Sequence, residues 1–219
     1  MVTDKEVIKF HLTNSYIESS PLVFFSGFCG ALKDARKMTG RNIITGEKDS
    51  SNTFGHLGSW LGIIGYLSLL DQIGICFKRV NGPVLEANKS GIIKALKNFS
   101  PLNDSEINAI YALRNSFAHD FSLQNIHPRK VELTHHFNVN NSPTEPLTNL
   151  PIEAWDGKME TKSSNNITKI NLQVLGDTVE SLVTNLITLN NTGEIEIILI
   201  GGKEELVNRY SFVTGKKVI

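Results

Sequence analysis

Two cysteines in 219 residues, no net charge and no long unbroken apolar run set the first limits on this chain. Cys29 and Cys76 stand apart in apolar surroundings, with no CxxC pair, so the pattern points to two packed thiols in a reducing compartment rather than a disulfide framework. The 22 Lys and Arg cancel the 22 Asp and Glu. That balance argues against a protein that coats nucleic acid nonspecifically, which draws on many basic contacts to phosphate, while a local basic site needs few. The opening MVTDKEVIKFHLTNS lacks the apolar core of a signal peptide, so a cytoplasmic protein is expected. Residues 51–70 carry no formal charge, but they open with SNTFGH and hold four glycines. Their large apolar side chains are too few for a spanning helix, and no membrane contact is expected.

Several chemistries lack their signature. Residues 201–205, GGKEE, have the glycines of a phosphate loop without its spacing, and neither HExxH nor GxSxG occurs. His135 and His136, with His127 nearby, invite a metal reading. Adjacent histidines on a strand point to opposite faces, however, so one ion does not take both. Neither a metal nor another cofactor is expected.

What the chain has is globular composition, 40% hydrophobic and 20% charged, and a length suited to one domain with an insertion. Helical spacing predicts a first helix over 4–18. Ser20 and Pro21 then read as N-cap and first position of a second helix over 22–38. After a loop over 39–53, a third helix is expected over 54–72, where Gly55, Gly58, Gly62 and Gly65 share a face. Each costs a helix about 1 kcal/mol relative to alanine, so another helix should approach that face closely, either the one over 104–118 or a symmetry mate. Trp60, on a different face, reads as a core anchor rather than a base-stacking platform. Residues 87–98 predict a helix with Ile92, Ile93 and Leu96 inward and Lys89, Lys94 and Lys97 on a solvated face.

Beyond residue 122 the alternating runs 129–140 and 166–174 predict two strands paired as a hairpin, joined by a Pro-, Thr-, Ser- and Asn-rich connection over 141–165. A final helix over 175–190 buries Val179, Leu182, Val183, Leu186 and Leu189 and closes at Gly193. A short strand over 194–200 and a helical turn or two over 203–210 complete the chain.

The densest chemistry lies in residues 111–121, YALRNSFAHDF, ending a helix expected over 104–118 with several N-cap candidates in NDSE at 103–106. Asn115 and His119 (i, i+4) lie almost above one another, while Arg114 and His119 (i, i+5) stand roughly 140° apart. For the two to act together, either the helix ends near Ala118 and turns the imidazole, or two copies of the segment meet.

Arg114, Asn115 and His119, closing an apolar helix, resemble the motif of the HEPN superfamily. The resemblance covers the helical residues from about 4 to 122 and says little about 123–170. It implies a mainly α fold, an antiparallel HEPN-like bundle over 1–219, with the β-hairpin insertion at 123–174. It also implies a metal-independent endoribonuclease, of the kind found as toxins in toxin–antitoxin or phage-defence systems, whose site forms in a homodimer. Its partners are then an RNA substrate and an antitoxin protein. In such a site His119 moves protons and Arg114 clamps phosphate. Asn115 holds the imidazole or contacts the scissile phosphate. The alternative is a non-catalytic HEPN-like module for dimerisation or nucleotide or RNA binding. In that case Arg114 pairs with Glu106 or Asp120, and His119 caps a helix C-terminus.

Overall fold

In the computed structural model, which describes residues 2–13, 16–19, 22–49 and 59–216, the chain opens with α1 (Asp4–Thr13), β1 (Tyr16–Ser19), β2 (Leu22–Ser26) and α2 (Gly27–Met38). It continues through α3 (Trp60–Cys76), β3 (Phe77–Arg79), α4 (Gly91–Phe99), α5 (Asp104–Asp120), β4 (Gln124–Asn125), β5 (His135–Asn140), β6 (Thr148–Asn149) and β7 (Ile167–Asn171). It ends with α6 (Leu172–Thr192), β8 (Ile195–Ile197), α7 (Gly202–Tyr210) and β9 (Ser211–Lys216). Helices dominate, with three small sheets among the described residues, so the class is α plus β. No helix among these residues is long and apolar enough to cross a membrane.

The chain divides into two units, Met1–Asp34 with Leu69–Ser100 and Glu180–Ile219, and Ala35–Ser68 with Pro101–Val179. Helices α2, α3 and α6 contribute residues to both.

In the first unit, the expected helix over 22–38 begins five residues late. LVFFS is β-branched and aromatic, and it pairs antiparallel with β1 on one side and β9 on the other. Sheet pairing overrides the helical reading here, and the predicted Ser20–Pro21 cap lies outside the described residues. Ser26 does the capping instead, its hydroxyl accepting from Cys29 N at 3.2 Å while donating to His11 O at 2.7 Å. Likewise α1 stops at Thr13, and residues expected to prolong it form β1.

Helix α4 starts at Gly91, later than expected, and its cap is not local. Ser90 makes no side-chain cap bond; Asp71 on α3 accepts from Ile92 N at 2.8 Å. A Cβ on Gly74 would run into the carbonyl oxygen of Gly91, and one on Gly91 into the carbonyl oxygen of Asp71. Two bare backbones touch where α3 meets the start of α4. Of the predicted lysine set, Lys94 donates to Ala87 O and Lys89 pairs with Glu86.

The buried residue least expected in this core is His11, packed against Phe28, Phe77 and Tyr210, with Nδ1 lacking a hydrogen-bond partner. Burial pushes its pKa down from the usual value to about 3. Both thiols are buried and no disulfide joins them; Cys29 Sγ donates to His11 O at 3.2 Å, and burial raises the pKa of Cys76 to about 12.

In the second unit, the glycine face packs within the chain. Gly55 and Gly58 lie outside the described residues. A Cβ on Gly62 would meet Thr39 Cγ2 at 2.5 Å, and one on Gly65 would meet Ala35 Cβ at 3.1 Å. The close neighbour is therefore the end of α2, not α5.

The sheet of this unit, in the order β4-β5-β7-β6, corrects the predicted hairpin. β5 and β7 are both strands, but they run parallel, His136 opposite Ile167 through Asn140 opposite Asn171, and β6 pairs antiparallel on the far side of β7. A hairpin reverses the chain at once, whereas residues 141–166 carry it back to the starting end of β5. That connection is anchored. Asn171 Nδ2 donates to Ser142 O and Glu145 O, and Trp155, only 1% exposed, donates to Lys158 O at 2.8 Å with His136 against its ring edge.

Two outcomes follow for the first unit. Gly74→Ala gains about 1 kcal/mol of helix propensity but loses about 3 kcal/mol to overpacking against backbone, a net loss of about 2 kcal/mol in urea denaturation; unchanged stability would mean that α4 shifts freely. For His11 the folded state holds a neutral ring down to about pH 3, so the unfolded state binds the extra proton below its ordinary value of about 6.5. Stability is fully present above that value and falls as pH is lowered through it, by about 2 kcal/mol at pH 5. His11→Leu removes this component of the slope in urea titrations at pH 7 and pH 5; an unaltered slope assigns the acid sensitivity elsewhere.

Candidate functional site

Helix α5 forms where expected because its start signals are local. Asn103 accepts from the backbone N–H of Ser105 and Glu106, and Glu106 Oε2 accepts from Asn103 N, a complete capping box. The other Glu106 oxygen accepts from Thr148 on β6 at 3.1 Å, which fastens the sheet to the helix start. Ile107, Ile110, Leu113 and Phe117 are buried as the apolar seam, with Ala109, Ala112 and Ser116. The helix also packs against β4, β5 and the turn at Val131–Leu133.

The far end departs from expectation. α5 does not stop near Ala118; it continues through Asp120 and is closed by Phe121 in the left-handed region at φ 49°, with Phe121 N and Ser122 N both donating to Ser116 O. His119 is therefore helical, and its roughly 140° offset from Arg114 stands. Within one chain the two groups face different ways.

Arg114 and Asn115 are brought together. Both are half-buried, and Arg114 Nη1 donates to Asn115 Oδ1 at 3.3 Å. The amide oxygen thus holds the guanidinium, where the sequence reading has Asn115 hold the imidazole or contact the scissile phosphate. His119 is exposed and makes no hydrogen bond or ion pair with a described residue.

The carboxylates expected to pair with Arg114 are placed otherwise. Glu106 is committed to the capping box and Thr148, and Asp120 is exposed without a partner among the described residues. Arg114 pairs with neither. At the end of α5 the Ser116 carbonyl accepts from the backbone N–H groups of Phe121 and Ser122, and the imidazole makes no hydrogen bond to a described residue.

The histidines after the motif are structural. His135 Nδ1 contacts Thr168 Oγ1 at 2.8 Å and Nε2 contacts Glu132 O at 3.1 Å, while His136 Nε2 contacts Asn166 Oδ1. Burial lowers the pKa of His135. His127 Nδ1 accepts from Arg129 N. Among the described residues no three His, Cys, Asp or Glu gather as metal ligands.

Two features escaped the sequence reading. Trp60 is only half-buried, and its indole stacks on Phe117 with centroids 4.8 Å apart and planes 18° off parallel. The i, i+3 relation of Phe117 to Arg114 is the one sequence hint of its place. The second is Arg41, 3% exposed, which pairs with Asp177 at 2.8 Å, donates to Gly46 O and Gln173 O, and leaves Nε buried without a partner. It pins the turn at 41–48 to α6, a long-range role with no local signature. No family model, no curated protein and no solved structure matches the chain.

Phe121 is 54% exposed, so its left-handed backbone costs more than its ring recovers by burial. Phe121→Gly is expected to raise stability by about 0.5 kcal/mol in urea denaturation, the relief of strain exceeding the added chain entropy. A clear loss would show that the ring, not the backbone, secures the turn.

Proposed function

We propose that the chain is a HEPN-type endoribonuclease that acts without a metal, as a homodimer. One observation carries the reading: the last turn of a doubly fixed helix holds an exposed imidazole without a hydrogen bond to a described residue, five residues after a guanidinium oriented by Asn115. An exposed imidazole suits proton transfer, and an oriented planar cation suits phosphate. His119 removes the proton from a ribose 2′-hydroxyl. The 2′-oxygen bonds to phosphorus as the bond to the 5′-oxygen breaks, and the leaving 5′-oxygen takes a proton from water, giving a 2′,3′-cyclic phosphate and a 5′-hydroxyl. Arg114 neutralises charge that grows on the non-bridging oxygens.

A dimer fits the offset of Arg114 from His119. Each tip reaches away from its own helix on a different side, so one phosphate meets both groups when two copies of α5 face each other and the sites are shared. The same resemblance makes the protein a toxin of a toxin–antitoxin or phage-defence pair, acting in the cytoplasm on cellular or phage RNA and held by an antitoxin protein. The offset also favours the second reading, a HEPN-like module that dimerises or binds RNA without cutting it, in the event that no dimer completes the site.

Labelled RNA incubated with excess chelator is expected to be cut by the parent. His119→Ala should lower the rate about 100-fold or more, and Arg114→Ala by a similar factor. Mixing the two variants restores roughly a quarter of parental activity, because half the dimers carry one intact shared site of two. Equal products from all three proteins would sink the enzyme, and binding without cleavage would establish the module.

A further inference from the structure

The two tryptophans of this chain are placed in opposite ways. Trp155 is 1% exposed with its N–H donated to Lys158 O, whereas Trp60 is half-buried and its N–H makes no hydrogen bond with a described residue. One face of the Trp60 indole is fixed by the near-parallel stack on Phe117, which is fully buried and held in α5. A flat aromatic seated on an immovable ring is itself rigid, so ordering it costs little on binding.

Its position on the helix matters as much as its exposure. Phe117 and Arg114 are i, i+3 neighbours, with Cβ atoms about 5–6 Å apart, whereas His119 points roughly 160° away from Phe117. The indole therefore belongs to the Arg114 side of α5. A guanidinium on the same side of a helix as a planar, part-exposed indole is the pair that a single nucleotide presents in complement, a phosphate and a base.

We infer that Trp60 forms a nucleobase-stacking subsite beside Arg114, seating one base of a single-stranded RNA whose phosphate Arg114 holds. The inference deepens the ribonuclease reading and takes its ligand class from it. Stacking tolerates any base, so the subsite sets position along the strand rather than sequence.

The test uses a single-stranded 2′-O-methyl oligonucleotide, which lacks the attacking hydroxyl and stays intact, and an abasic chain of the same length and charge. Titrated into the parent, the base-bearing strand is expected to quench the exposed tryptophan fluorescence and bind about 5-fold to 100-fold more tightly than the abasic chain. Trp60→Leu should abolish the quench and bring both affinities together. Trp60→Phe, which keeps a ring on Phe117, should retain most of the base dependence; it decides the matter if the leucine variant fails to fold by circular dichroism. Equal binding of both strands by the parent, or undiminished base dependence in Trp60→Leu, overturns the subsite. Cleavage of ordinary RNA without any base-dependent binding removes the subsite and leaves the nuclease. Base-dependent quenching in a protein that cuts nothing does the reverse.

Discussion

An α-helix that runs unbroken from Asp104 through Asp120 fixes the direction of every group in the candidate site. Helical geometry admits no adjustment: residues five apart project roughly 140° apart, on a cylinder about 10–12 Å across with its side chains. Had α5 frayed at Ala118, the imidazole would be free to swing toward the guanidinium. Both ends are instead secured, the first by the Asn103–Glu106 box with Thr148 behind it, the last by two backbone donors on Ser116 O. Secure ends turn a flexible motif into two fixed vectors.

The surrounding polar bonds divide labour in a consistent way. Two carboxylates of this unit are spent on architecture, Glu106 on the cap and Asp177 on the buried Arg41. The buried histidines are likewise spent, His135 on Thr168 and Glu132, and His136 on Asn166. Against that background His119, exposed and without a hydrogen bond to a described residue, is the member of the motif that the architecture leaves unused. Asn115 completes the contrast, since an amide that orients a cation is doing for Arg114 what no residue does for His119.

Legibility in the sequence followed the range of the interaction. The start of α5 was readable because its cap lies within four residues, and α6 because one apolar stripe, Val179 to Leu189, ends at Gly193 with φ 75°. The end of α5 was not, since a left-handed stop at phenylalanine carries none of the glycine signal that marks such stops. LVFFS fits a buried helix or a strand equally, and its partner β9 lies at the far end of the chain. Alternation identified β5 and β7 as strands without fixing direction, which the path of 141–166 decides. The cap that Asp71 gives α4, the Gly74–Gly91 contact and the Arg41 clamp join segments distant in sequence, and none has a local pattern to find. Of the candidate site, the helix that carries Arg114, Asn115 and His119 and their angular offset were readable. The Arg114–Asn115 bond and the Trp60 stack were not, because both depend on which way a side chain turns.

The offset also constrains any chemistry assigned to the helix. General base and charge-stabilising cation must both lie within about 3 Å of the atoms they serve, one at the 2′-hydroxyl and one at the non-bridging oxygens of the same phosphate. Two vectors leaving a helix on different sides diverge, so adding reach does not bring their tips together; only a second pair of vectors can close the gap. On the proposed reading a two-fold axis near the end of α5 would supply that pair at no cost in new sequence, since the symmetry operation that brings one arginine across brings the other back. A single chain would then hold an incomplete site. A regulator that separates the chains would then silence both centres at once, without touching either residue.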